Sequence, residues 1–424
     1  MNVLIIGSGA REDALAHLLN QSKRVHRLWI APGNGGTLRL PKATPAPIKP
    51  VDTESLIRFA QDNRITLTIV GPEAPLAAGI VDDFRAKGLR IFGPTKDAAR
   101  LEASKVFAKH FMDAHGIPTA AFRVFDNPKT ALQYAQSLDG HCVIKADGLA
   151  AGKGAYVCHM AAEAKTAIQD IMVSRKYGDA GNQVIVEELL EGYEVSVHLF
   201  CDGRRAVLMP PSQDYKRLLP GDRGPNTGGM GAICPVARLS QTDLETIEQQ
   251  VVLPTIAGMI SEHIRYVGVL YIGIMMTSDG PRVLEYNCRL GDPETQVILP
   301  LLETDLIQVI DACIDGRLDT VTVRFKNDIT ACCIVLAAGG YPDQPTTGMP
   351  IAGLDVVAES FPHVLALHAG TTIAQGVYRV GGGRVLSVIA WDKNRETALL
   401  RANAAAELIA FDGKQYRTDI GCNA

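Results

Sequence analysis

The sequence lacks the marks of several protein classes. No stretch approaches the ~18 consecutive apolar residues that a membrane-spanning helix needs. The opening Met1 to Gly7 has no charged leader and too short an apolar run to direct secretion. The nine cysteines are scattered singly apart from Cys332-Cys333, and no C-x-x-C pair occurs, which argues against a disulfide framework or a zinc site. A reducing, cytoplasmic compartment is therefore expected. A basic excess is also missing. With 42 Lys and Arg against 46 Asp and Glu the net charge is −4, and there is no basic-aromatic stripe, so neither nucleic acid nor anionic membrane is an expected partner. Internal repeats and low-complexity segments are absent. What remains is 424 residues, 47% hydrophobic and 21% charged, the balance of a globular chain of about three domains.

The first hundred residues alternate short apolar runs with amphipathic segments. Val3 to Ile6, Arg27 to Ala31, Leu67 to Val70 and Leu89 to Phe92 each end in a glycine or proline turn, and Glu54 to Asp62 and Leu76 to Lys87 read as helices. Strand, glycine turn, helix, strand is the βαβ signature of a parallel sheet, whose C-terminal strand ends form a ligand crevice. Gly7-Ser8-Gly9-Ala10-Arg11-Glu12 is a broken dinucleotide fingerprint, because glutamate stands where a third glycine belongs. It is compatible with a plain turn or with a seat for a small anionic substrate.

From Phe122 the pattern becomes a small α+β unit. Strands are expected at Phe122 to Phe125, Cys142 to Lys145, Ala155 to Cys158 and Gln183 to Glu188, with helices near Pro128 to Leu138 and Ala161 to Val173. Two more β runs lead into Pro211 to Ala232, which reads as a long polar loop without regular structure, and a helix follows over Thr242 to His263. The chain closes with a separate β-rich unit from Phe325.

Four segments carry chemistry. In Val143-Ile144-Lys145 to Gly154 a strand ends in a lysine, and a loop with Gly148, Gly152 and Gly154 brings a second, Lys153. Glycines admit phosphate oxygens to the backbone N–H groups and the lysines supply opposing charge. No Gly-Lys-Ser/Thr opens a helix, so this is not a Walker loop. The strand Pro281 to Arg289 puts Glu285, Asn287 and Arg289 on one face. The first two offer hard oxygens to Mg²⁺, and Arg289 offers charge to a transferring phosphoryl group. Asp214 can hold an amine and the Asn226 to Gly231 backbone can line a pocket. Glu187 to Glu194 is a strand crossing able to offer backbone groups to an adenine.

Together and in this order these residues resemble the ATP-grasp superfamily, and within it the phosphoribosylamine–glycine ligase family. The runs Gly224-Pro225-Asn226-Thr227-Gly228-Gly229-Met230-Gly231 and Asn287-Cys288-Arg289-Leu290-Gly291-Asp292-Pro293-Glu294 are its most specific carriers. The resemblance implies an N-terminal parallel-sheet domain (1–102), an ATP-grasp core (103–121 and 191–324) with a small lid subdomain (122–190), and a mixed α/β closing domain (325–424). It implies ATP-dependent ligation of glycine to 5-phosphoribosylamine through glycyl phosphate, in a monofunctional monomer whose partners are small molecules only. Lys105 and Lys145 would meet the nucleotide phosphates under the Gly148 to Gly154 loop. Glu187 and the backbone of Glu188 to Leu190 would meet adenine, and Glu194 the ribose. Glu285 and Asn287 would hold Mg²⁺ or Mn²⁺. Arg289 and Asp214 would face the reacting groups. Gly9, Arg11, Glu12, Asn226, Thr227, Gly228, Gly229 and Gly291 would serve the other substrates, with Gly383 and Arg384 a candidate phosphate cradle. The pattern departs from relatives at Asp13 and Tyr215, where histidine is frequent. It departs again in Gly273 to Thr277, which lacks the acid often found before the hairpin turn. The rival readings are another ATP-grasp carboxylate–amine ligase or carboxylase, and a non-catalytic nucleotide sensor. The sensor is disfavoured because Lys145, Glu285, Asn287 and Arg289 are all present.

Overall fold

The computed structural model describes residues 1–150 and 154–422. The N-terminal runs form a five-stranded parallel sheet, in the order Ala43–Pro45, Arg27–Pro32, Asn2–Gly7, Leu67–Val70, Ile91–Phe92. Asn2–Gly7 lies at the centre, and Val3 to Ile6 are fully buried, as expected of a parallel strand covered on both faces. The strand order reverses beside it, which places a crevice between the Gly7 and Gly71 turns. The stretch from Leu76 to Lys87 is not one helix. Glu73–Ala78 and Ile80–Ala86 are separated by Gly79 at φ 103°, a left-handed stop that glycine takes without strain.

Residues Phe122–Phe125, Val184–Glu188, His141–Ala146 and Ala155–His159 pair, in that order, as an antiparallel sheet. Helices Pro128–Ser137 and Ala161–Ile168 cover it with a core of its own, including Ala131, Ile144, Ala164 and Val186. A second antiparallel sheet, Ala206–Leu208, Tyr193–Asp202, Val267–Thr277, Gly280–Asn287, carries Glu285 and Asn287. The helix expected over Thr242 to His263 runs as Gln241–Ile247, a wide turn Glu248–Val252 and Leu253–Ser261. Pro254, lacking an N–H, sits at the junction where the ladder loosens.

The stretch Pro211 to Ala232 is more ordered than its polarity suggests. Gln213–Asp214 and Gly231–Cys234 join Thr330–Ala337, Arg384–Asp392 and Val364–His368 in a five-stranded sheet. Arg217–Leu219 and Arg223–Asn226 form a hairpin between them. The stretch thus stitches the middle of the chain to its end. The partner of Ala232 is Cys333, about a hundred positions away, so no local pattern announces the strand. All nine cysteines are unpaired, and no helix among the described residues is long and apolar enough to cross a membrane.

Candidate active site

One cavity of about 500 Å³ lies between the Phe122–Glu188 sheet and the Tyr193–Asn287 sheet, with the first domain and the Arg384 strand closing its far end. At one end, strand His141–Ala146 delivers Lys145 and helix Lys105–Ala114 delivers Lys105 and Lys109, four residues apart and therefore on one helix face. The Glu187 Oε2 atom accepts from Lys145 Nζ at 3.0 Å and pairs with Lys109 Nζ at 3.2 Å. Lys145 also donates to the Leu284 carbonyl at 3.0 Å, and Lys109 to Thr119 Oγ1 at 2.7 Å. Two ammonium groups thus share one carboxylate oxygen. Burial dominates over this pairing and pulls Lys109 down to about 8. Glu187 Oε1 has no partner among the described residues. An unpaired buried acceptor costs about 1–3 kcal/mol, so a ligand N–H there would be welcome.

The Lys105 ammonium donates to the Gly148 carbonyl at 3.0 Å, and Asp147 Oδ1 accepts from Ser104 Oγ and from the Val106 N–H. The start of the glycine loop is therefore tied to the helix that bears the lysines. Gly148 and Gly154 line the cavity, as do Glu188, Leu190 and Glu194. Gly152 and Lys153 lie outside the described residues.

At the centre, Glu285 and Asn287 project from strand Gly280–Asn287 into the cavity. Burial acts to raise the Glu285 pKa, but the charges of Lys216, Lys105 and Lys145 outweigh it and hold the carboxyl below its usual range. Among the described residues no cluster of three or more His, Cys, Asp or Glu has the arrangement of a metal cage. One ionised carboxylate and one amide oxygen make a partial shell, which suits a hard cation whose other ligands come from nucleotide phosphates. Arg289 is held on every side: Nε to Glu73 Oε2 (3.1 Å), Nη2 to Glu102 Oε1 (2.9 Å) and to Asn287 Oδ1 (3.2 Å), and Nη1 to the Leu290 carbonyl (3.3 Å). Burial would lower its pKa, but Glu102, Glu73 and Glu294 more than reverse this. It acts as a fixed charge, not a free fork.

The far end holds Asp214, Lys216 and Glu294. Burial, and next the Glu294 charge, push the Asp214 pKa well above the carboxylate range, and Oδ1 has no partner among the described residues. Glu294 accepts from Ser196 Oγ at 3.0 Å, and burial raises it as well. Lys216 Nζ reaches Glu194 Oε2 at 2.9 Å, and that carboxylate is the main reason its pKa rises despite burial. Asn226, Thr227, Gly228, Gly291 and Arg384 line this end. Arg384 Nη1 grips the carbonyls of Gly228 and Asp292 at 2.6 and 2.7 Å.

Arg11 also lines the cavity and donates to the Leu290 carbonyl at 3.1 Å. Gly9, Glu12, Gly229 and Gly383 do not line it. Glu12 is turned back on its own loop, accepting from the Gly9 N–H and from Arg11 Nε, both at 2.6 Å. A Cβ at Gly71 would meet Glu12 Oε1 at 1.9 Å. The carboxylate therefore packs into the glycine turns where a dinucleotide's pyrophosphate would approach, so the broken fingerprint is physically blocked. Gly229 packs on Asp214 and Pro293, and Gly383 on Tyr341.

Lys109, Lys216, Glu73, Glu102, Asp292 and Glu294 also reach the cavity without having been singled out as site residues. Lys109 had a local signal in its position one turn beyond Lys105, and Asp292 and Glu294 stand within the Asn287 to Glu294 run.

Residues 1–102 match the model of the phosphoribosylglycinamide synthetase N domain, 103–295 that of its ATP-grasp (A) domain and 331–423 that of its C domain. A phosphoribosylamine–glycine ligase of Ralstonia nicotianae is 48% identical over 425 residues, covering 100% of this chain and 99% of that one. A trifunctional purine biosynthetic protein adenosine-3 of Homo sapiens is 47% identical over 428 residues, covering 100% of this chain and 42% of that protein. The crystal structure of phosphoribosylamine–glycine ligase from Thermotoga maritima superposes with a TM-score of 0.85 at 34% identity, covering 99% of this chain and 100% of that one. A biotin carboxylase of Campylobacter jejuni, at 13% identity and TM-score 0.72 over 98% of this chain and 92% of that one, shares the fold.

Proposed function

The chain belongs to the phosphoribosylglycinamide synthetase family and is an ATP-dependent phosphoribosylamine–glycine ligase of purine biosynthesis, and we propose that the reaction runs in the cavity just described. The observation that carries this reading is the sorting of charge along that cavity. Three lysines stand round one ionised carboxylate at its centre, and two carboxylates of raised pKa stand beyond it.

Adenine lies at the Glu187 to Leu190 end, where Glu187 Oε1 and the strand-crossing backbone offer acceptors and donors, and Glu194 takes the ribose hydroxyls. Lys105 and Lys145 receive the phosphates, with Gly148 and Gly154 beside them in the cavity wall. Glu285 and Asn287 would hold Mg²⁺ or Mn²⁺, which would supply positive charge to offset that on the transferring phosphoryl group. Glycine's ammonium sits on Asp214, whose Oδ1 is free to accept from it, and a cation there favours the carboxylate form. Its carboxylate oxygen forms a bond to the γ-phosphorus as the bond to ADP breaks, giving glycyl phosphate. The phosphoribosylamine nitrogen then bonds to the acyl carbon, the C–O bond to phosphate breaks, and the nitrogen loses a proton. Arg11, the Asn226 to Gly228 backbone, Gly291 and Arg384 position the sugar phosphate. Closure around these groups keeps water from the acyl phosphate.

The test is ADP release by purified protein with Mg·ATP and phosphoribosylamine generated in situ, with and without glycine. Release requiring both, and lost in Glu285→Ala, supports the reading. Release indifferent to glycine leaves the nucleotide end standing and refutes the assignment of the far end.

A further inference from the structure

Near the end of the chain stands Tyr416-Arg417-Thr418-Asp419-Ile420-Gly421, a segment the ligation mechanism does not use. Its arginine is only 2% exposed and heads the largest fully buried side chains. A guanidinium taken from water costs several kcal/mol unless its donors are met, and here each of its three nitrogens has at least one acceptor. Nε and Nη2 grip the two Asp419 oxygens, both at 2.8 Å, in a bidentate pair. Nη1 donates to the Arg217 carbonyl at 3.1 Å and to Asp222 Oδ1 at 3.3 Å, and the guanidinium lies 5.2 Å from the centre of the Tyr215 ring. Asp419 Oδ2 in turn accepts from the Gly221 N–H at 2.8 Å.

All these bonds converge on the hairpin Arg217–Leu219 / Arg223–Asn226. The hairpin has no buried residue of its own, with Leu219 and Asp222 exposed, and a two-stranded hairpin is marginal by itself in water. Its placement must come from outside. Lys216 precedes it directly and Asn226, Thr227 and Gly228 close it. The Thr227 N–H and Oγ1 both donate to the Lys216 carbonyl at 2.8 Å. The same C-terminal unit holds the loop again further on, where Tyr341 Oη accepts from the Gly228 N–H at 2.9 Å and Arg384 donates to the Gly228 carbonyl.

We propose that Arg417 and Asp419 are positioning residues for the ligation: their buried ion pair fixes the 217–226 hairpin, and through it sets the Lys216 ammonium and the Asn226 to Gly228 backbone in the cavity. This rests on the reading that the far end of the cavity binds glycine and the amine. Arginine is required because lysine has no planar fork to span Asp419, Asp222 and the Arg217 carbonyl together.

The experiment compares Arg417→Lys and Asp419→Asn with the parent in the full chain. It reads steady-state kinetics for glycine and phosphoribosylamine, ATP binding by equilibrium dialysis, and trypsin cleavage at Arg217 and Arg223. A small displacement of reacting groups can cost up to about a hundredfold in rate, so kcat/KM for glycine and the amine should fall about 10- to 100-fold. ATP affinity should fall by less than kcat/KM for glycine and the amine, because among the described residues Lys216 touches the nucleotide end only through Glu194, while cleavage in the hairpin accelerates. Unchanged cleavage and unchanged kinetics would overturn the clamp. Faster cleavage with parental kinetics would overturn its role in the reaction. Parental kinetics in Lys216→Met would instead refute the reading of the far end, independently of what trypsin reports on the clamp. If Arg417→Lys does not fold, Asp419→Asn decides alone, since it keeps the guanidinium's bond to the Arg217 carbonyl.

Discussion

Replacing Lys109 by methionine separates the two demands on a buried cation. Lys109 is 2% exposed and shares Glu187 Oε2 with Lys145. Burial lowers it from the ordinary 10.5 to about 8. Between those two values the unfolded chain binds a proton that the folded chain has released, so the stability of the parent rises with pH through that window and is lowest below it. At about 1.4 kcal/mol per pH unit the interval corresponds to about 3 kcal/mol. Methionine fills nearly the same volume and needs no solvation. Glu187 keeps Lys145, and Thr119 keeps its bond to the Val283 carbonyl. Lys109→Met should therefore be at least as stable as the parent at pH 7, and the difference should shrink by about 3 kcal/mol toward pH 10.5. Urea unfolding followed by circular dichroism at pH 7, 8, 9 and 10 measures it. ATP binding should weaken by about tenfold, roughly 1.4 kcal/mol, as the cavity loses a positive charge. Parallel pH curves for the two proteins, or a loss of about 3–5 kcal/mol at pH 7 of the kind that follows breaking a buried pair, would refute the reasoning.

Glu285→Ala should raise the Mg²⁺ concentration for half-maximal ADP release by at least about tenfold, since it removes the one ionised oxygen of the partial shell; an unchanged titration midpoint removes it from the ligand set. Arg289→Lys keeps the charge but cannot reach Glu73, Glu102 and Asn287 together, so turnover should drop by about a hundredfold. ATP affinity measured by dialysis should be retained, and equal losses in both would contradict a role in aligning the reacting groups. Glu12→Ala removes the carboxylate that caps the Gly9 N–H and holds Arg11, and should lower stability by about 1–2 kcal/mol. It should leave ATP affinity unchanged, and a weakened nucleotide in dialysis would show that the carboxylate does more than hold its own loop.

How much of this was legible follows from how local each feature is. Strand ends at Gly7 and Gly71, the strand that delivers Lys145 and the face shared by Glu285 and Asn287 depend on residues a few positions apart, so pattern and spacing reveal them. Lys109 was readable in principle, because helical periodicity puts it beside Lys105. The break at Gly79 is hidden in the pattern, because one left-handed glycine stops an otherwise amphipathic run. The strands Gln213–Asp214 and Gly231–Cys234 could not be read locally, since their hydrogen bonds go to each other and to Thr330–Ala337.

By itself the sequence determined the chemical inventory: glycine loops for phosphate approach, lysines to oppose it, oxygen donors on one strand face, and elements alternating in the order of a multidomain α/β chain. Those properties are set by side-chain chemistry and by periods of two and 3.6 residues. Only the tertiary structure decided in which direction each carboxylate's pKa moves. Asp214 and Glu285 are the same kind of group, both half-buried. Three lysines from separate elements gather round Glu285, whereas Asp214 faces Glu294 with Lys216 as its nearest counterweight. Burial and neighbouring charge shift a pKa in opposite directions, and which one prevails depends on the elements that the fold brings together across the cavity.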